Sequence, residues 1–215
     1  PRSYFWAGWG AALRDRTLLI FVTVNILFTT YMAQVQSTLP VYLNRFATVG
    51  DTTGFSEAVL SGLFTWHVAL AAICQLPMAR LLRNISQSQA LMISAGLWAL
   101  GFMGIQWSGT ALTGAIAFSA IALSILSLAT VAYTPVASTL VVQLAPQDLR
   151  GVYLSVNSMC WAIGYLIGPP LGGWTLDQSD LIAHGFWLGL AASAIPGIGI
   201  LWILGQRNKH NEPDK

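Results

Sequence analysis

Six stretches of this 215-residue chain run for about twenty residues or more almost without charge, and nothing else in it constrains the fold as tightly. A bilayer core of about 30 Å is crossed by about 20 helical residues rising 1.5 Å each. Bounded by charges and turn residues, the runs fall at 17–39, 57–79, 88–107, 111–143, 149–174 and 184–205. Lipid satisfies no backbone N–H or C=O group, so the runs predict six helices packed as a bundle. Composition agrees: 8% of residues are charged and 55% hydrophobic, against about a quarter charged in a soluble domain. The expected fold class is an all-α integral membrane protein. Residues 1–16 form an interfacial lead-in, 17–205 the bundle and 206–215 a tail. The run at 111–143 is too long for one upright span and predicts strong tilt or extension past the headgroups.

An even number of spans places both termini on one side. Arg14, Arg16, Arg80, Arg83, Arg150, Arg207, Lys209 and Lys215 fall on that side, and Arg45 alone on the other, so the termini are expected to be cytoplasmic. Asp51, Glu57, Asp177 and Asp180 fall outside. Tyr42, Trp107 and Trp174 read as interfacial anchors, and "SYFWAGW" with Arg2 as an interfacial segment. The chain opens without Met or a cleavable signal peptide, which reads as a piece of something longer. A net charge of +2 without basic clusters argues against nucleic acid. Cys74 and Cys160 lie inside apolar runs, so neither a disulfide nor a metal site is expected.

Polar residues inside spans must face protein or water. On the first span Asn25, Thr29, Met32 and Gln36 form one stripe, and Thr30, Gln34 and Thr38 an adjoining one. Such groups serve either as interhelical hydrogen-bond glue or as a cavity lining, and the width of this face favours the lining. His67 lies about ten residues into the second span, near ~15 Å depth. It reads as a substrate or proton site, or as a neutral imidazole bonded to a neighbouring helix. The fourth span carries Ser124, Ser127, Thr134 and Ser138, with Pro135 predicted to kink it. Tyr133 there and Asn157 on the fifth span complete the cavity candidates. No span interior holds Asp or Glu, and no hydrolase, nucleotide or zinc motif is present, so no catalytic residue, metal or cofactor is expected. The "NIS" sequon at Asn84 falls in a loop assigned to the cytoplasm.

The stretch "GYLIGPPLGG" interrupts the fifth span with glycines and prolines. Asn157, Trp161, Gly164, Gly168 and Gly172 share one helical face, which invites close approach of a second backbone. Gly173 adds a further glycine. Pro169 and Pro170 cannot donate to the carbonyls of Tyr165 and Leu166, which interrupts the hydrogen-bond ladder near the outer end and permits a bend.

"LRDRTLLIFVTVNILFTTYMAQVQSTLPVYL", "LPMARLLRNIS" with Arg80 and Arg83, "LAPQDLRGVYLSV" with Asp148 and Arg150, and "GYLIGPPLGG" together resemble the C-terminal half of the major facilitator superfamily, spans seven to twelve. The glycine stretch resembles a motif of its drug:proton antiporters. That resemblance implies two inverted three-helix repeats and alternating access about a central site. It implies an N-terminal six-helix half, or a second chain, as partner within the lipid bilayer, and a small-molecule substrate. The first and fourth spans would line the cavity, and the second and fifth, with the glycine face, would meet the other half. The function expected is proton-coupled efflux of small organic compounds across a bacterial inner membrane. The alternative is a non-transporting subunit or assembly factor bound to other membrane subunits.

Overall fold

In the computed structural model, residues 8–49, 52–111 and 113–211 are described. The expectations for Arg2, Asp51, residues 3–7 and Lys215 fall outside them, and the side chains of Arg207 and Lys209 are likewise outside the described residues. After a helical stretch at 8–12, six long helices follow: α1 (Arg16–Phe46), α2 (Glu57–Leu82), α3 (Gln87–Thr110), α4 (Ala115–Leu144), α5 (Arg150–Leu176) and α6 (Asp180–Asn211).

Local chemistry sets where each begins. Asp15 caps α1, its Oδ1 accepting from the N–H groups of Thr17 (2.8 Å) and Leu18 (3.3 Å). Ser56 caps α2. At α3 a full capping box forms: Ser86 Oγ accepts from Gln89 N, and Gln89 Oε1 accepts from Ser86 N. Gly114, at φ +76°, turns the chain into α4, which therefore starts at Ala115 instead of 111. α1 runs through Pro40 to Phe46, seven residues past its expected end. The connection from α1 to α2 is correspondingly short, with two-residue strands β1 (Thr48–Val49) and β2 (Thr52–Thr53) paired antiparallel.

Five of the six helices are long and apolar enough to cross a membrane. The exception is α5. Its 27 residues and single Arg meet the needs of length and charge, so what it lacks is hydropathy. Its apolar run predicts a sixth span, but Asn157, five glycines, two prolines and four aromatic residues with polar tips dilute it. α5 is helical through Pro169 and Pro170 to Leu176, and α4 continues through Pro135, so the missing donors end neither helix.

α3 packs against both α4 and α6, α1 against α5 and α6, and α2 against α4. The interior is aromatic: Phe28, Tyr31, Tyr42, Trp98, Phe102 and Trp187 are all fully enclosed. Tyr31 sits edge-on to Phe102 at 5.1 Å, and Tyr42 to Trp187 at 5.1 Å. Tyr42 is thus a core residue and not the lipid-interface anchor its position suggested; its hydroxyl lies 2.7 Å from His184 Nδ1. Trp107 and Trp174 remain exposed.

The glycine face of α5 docks on α1 of the same chain. A Cβ at Gly164 would lie 2.7 Å from the backbone carbon of Thr29, and one at Gly168 2.7 Å from Ala33 Cβ. At Gly172 it would overlap Thr38 Oγ1 and Gln34 Oε1. This corrects the expectation that the glycines face another half. Their stripe fits the hydroxyl and carboxamide stripe of α1, because small residues let the two backbones approach. Gly173 is exposed, with open space where a side chain would be, so it is no part of this packing.

Candidate functional site

Three of the six cavity candidates come together at the junction of α1, α4 and α5. Asn25 Oδ1 accepts from the Tyr133 hydroxyl at 2.5 Å, and Asn25 Nδ2 donates to Asn157 Oδ1 at 2.8 Å. Asn25 and Tyr133 are fully buried, whereas Asn157 is half-buried and sits at the edge. The Tyr133 ring is fixed by stacking on Phe28 at 4.9 Å. On the open side lie Trp161, 6.4 Å from Tyr133, and Tyr165, stacked on Trp161 at 6.1 Å.

The other three candidates stand elsewhere. Gln34 belongs to the α1–α5 seam: its Nε2 donates to Gly168 O at 2.7 Å and its Oε1 accepts from Thr38. Fully buried and bonded at both ends, it is a packing residue here. Gln36 is exposed on α1. His67 joins α2 to α4, with Nδ1 2.7 Å from Ser127 Oγ and 3.0 Å from Leu123 O. Beside it Trp66 Nε1 donates to Ser124 Oγ at 2.8 Å. The two adjacent bonds make this a helix–helix joint, and no carboxylate takes part in it.

The loop motifs are open. Arg80, Arg83, Asp148 and Arg150 are exposed or nearly so, and none makes a side-chain bond to a described residue. Among the described residues the ion pair is Arg45–Asp177, at 3.2 Å on the far side. Sequence reasoning missed Asp15, whose Oδ2 accepts from Tyr153 OH at 2.7 Å while its Oδ1 caps α1. An Asp immediately before a long apolar run was the available signal. It also gave Tyr165 no role, because its partner Trp161 is four residues away on a helix face read only for its glycines.

The junction therefore offers neutral hydrogen-bonding groups beside stacked aromatic rings. It suits binding of an uncharged or aromatic solute, and it contains no group that carries a proton as a carboxylate does. Among the described residues no cluster of His, Cys, Asp and Glu is placed to hold a metal ion.

The sequence model of the Major Facilitator Superfamily matches residues 43–215, from the last turn of α1 to the end. The chain belongs to the Major Facilitator Superfamily. No curated protein matches it. Membership in this superfamily of membrane transporters accounts for a helical bundle whose polar residues face one another, and it leaves the cargo to be argued from the junction.

Proposed function

We propose that this facilitator chain is one half of a secondary transporter that exports small organic compounds by alternating access, coupled to protons. The observation that carries the reading is the half-open junction: buried Asn25 and Tyr133 hold Asn157 at an edge beside Trp161 and Tyr165. An intramembrane polar group at a solvent-reachable edge is a binding group by default. Supporting it, α2 buries only Leu63 and Leu82 completely, and α5 leaves Leu166 73% exposed, so two helices present apolar flanks for an N-terminal half or a second chain. Every described acidic residue sits at a helix end or in a loop, so the proton carrier belongs to the partner half. In this reading the membrane is a bacterial inner membrane, and the distribution of basic residues supports termini on its cytoplasmic side.

The test is transport in vesicles containing the native gene product, with a fluorescent aromatic solute and an imposed proton gradient. Export collapses when the gradient is dissipated, and Asn157→Leu lowers the initial rate roughly tenfold, a 1.4 kcal/mol effect, at unchanged protein level. Gradient-independent uptake, or no movement of any solute together with stoichiometric co-purification of unrelated membrane proteins, would favour an assembly factor. Single cysteines at Thr53→Cys and Ser86→Cys, in a chain freed of Cys74 and Cys160, check orientation: an impermeant maleimide labels only position 53 from outside.

A further inference from the structure

The hydrogen bonds that join α1, α4 and α5 at the junction run in one fixed direction. A tyrosine hydroxyl and a carboxamide can meet as O–H···O or as N–H···O. The contact between Tyr133 and Asn25 is 2.5 Å, at the short end of the O–H···O range and below the N–H···O range of about 2.7–3.2 Å. Oxygen therefore faces Tyr133. The Nδ2 of Asn25 is left to face Asn157 and donates to its Oδ1 at 2.8 Å. One turn on, Thr29 Oγ1 donates to Cys160 O at 2.9 Å and holds α1 and α5 in this register.

The order runs outward, from buried Tyr133 and Asn25 to half-buried Asn157, and it ends on a donor. With its oxygen engaged inward, Asn157 has Nδ2 left over; that group bonds to no described residue and is not enclosed. Trp161, four residues along the same face of α5, stacks its ring on Tyr165 and carries an Nε1 that is likewise open and unbonded to any described residue. Donors thus stand beside aromatic faces. A solute offering a lone pair completes the chain, whereas an ammonium, which has only protons to give, meets N–H groups.

Resting on the reading of this junction as the transporter's binding site, we propose that it selects uncharged aromatic compounds with a carbonyl next to the ring. The carbonyl oxygen accepts from Asn157 Nδ2, and the ring lies along Trp161 and Tyr165. Tyr133 is a positioning residue: it fixes which end of Asn157 faces out.

The native gene product in phosphatidylcholine nanodiscs is dialysed to equilibrium against solutes that share one skeleton: methyl naphthyl ketone, ethylnaphthalene and naphthylethylammonium. Binding above that of empty discs is measured by chromatography. The ketone is expected to bind roughly fivefold tighter than the hydrocarbon, and the ammonium weakest. Asn157→Leu erases the ketone's advantage, and Asn157→Asp, whose outer oxygen accepts, reverses the order of ketone and ammonium. Tyr133→Phe frees the chain of bonds to turn over and shrinks the ketone-to-ammonium ratio, which a mere loss of folded protein does not move. Hydrocarbon or ammonium binding as tightly as ketone to the unaltered protein, a ketone advantage that survives Asn157→Leu, or a ratio untouched by Tyr133→Phe overturns the proposal. Binding that falls with Trp161→Leu yet shows no ketone preference removes this selectivity and leaves the junction as the site; no binding above empty discs removes both.

Discussion

Glycine at 164, 168 and 172 does one thing: it removes the atoms that would hold α5 off α1. Gly168→Ala places a methyl group 2.7 Å from Ala33 Cβ, and overpacking of that kind costs about 1–3 kcal/mol. Gly173→Ala meets nothing within 4 Å and gains helix propensity, up to about 1 kcal/mol. Thermal or detergent-titrated unfolding of the two variants should therefore move in opposite directions, although the residues are five apart in one motif. At the junction, Tyr133→Phe leaves the buried Asn25 Oδ1 without its donor and is expected to cost about 1–3 kcal/mol by the same measurement. The spacing of the glycines was legible in the sequence. Which helix they meet was not, because spacing describes one face and is silent about its partner. The answer lay in the hydroxyls of Thr29 and Thr38, about 130 residues earlier, whose stripe reads equally well as a cavity wall.

Among the elements, α1 and α5 behave as one piece, tied along the glycine seam and again by Asp15, which caps one helix and receives the Tyr153 hydroxyl of the other. Asp15→Ala removes both contacts. Loss of the cap alone costs about 1 kcal/mol; Asp15→Asn, which keeps a capping oxygen, should retain more than half of the stability in the same unfolding assay. A second tie, His67 to Ser127, joins α2 to α4. A double-mutant cycle of His67→Ala and Ser127→Ala is expected to give a coupling near ~0.6 kcal/mol, the usual worth of such a bond in a membrane protein. Helix positions were readable because charge and apolar length are written along one run. The ends were not: α1 outruns Pro40 because a proline late in a helix removes one donor without ending the run, and α5 hides its weak hydropathy behind its length.

For the whole molecule, the telling feature is what α2 leaves uncovered. Ile73, Leu76 and Leu81 are all about 70% exposed, and Leu166 on α5 is as open. Lipid tolerates such surfaces, so exposure alone identifies no partner. A charge does discriminate: if the proposed partner half docks here, Leu76→Arg together with Leu166→Arg should abolish co-purification with it while leaving the helical content of the chain unchanged by circular dichroism. If instead the pair binds as before, the partner sits on other helices. The bundle was legible from hydropathy and the superfamily from its loop motifs. The inward turn of the glycine face was not, since a motif that resembles one subgroup's says nothing about which side of its helix is closed.

The α1–α5 seam also sets a timetable. Gln34 donates to Gly168, 134 residues further on, and a ribosome adding about 5–20 residues per second needs roughly 10 s to make that stretch. For that interval a helix carrying Asn25, Thr29, Gln34 and Thr38 has entered the membrane with no α5 to receive them. Until α5 arrives those groups depend for their hydrogen bonds on water or on the helices already made, because lipid supplies none.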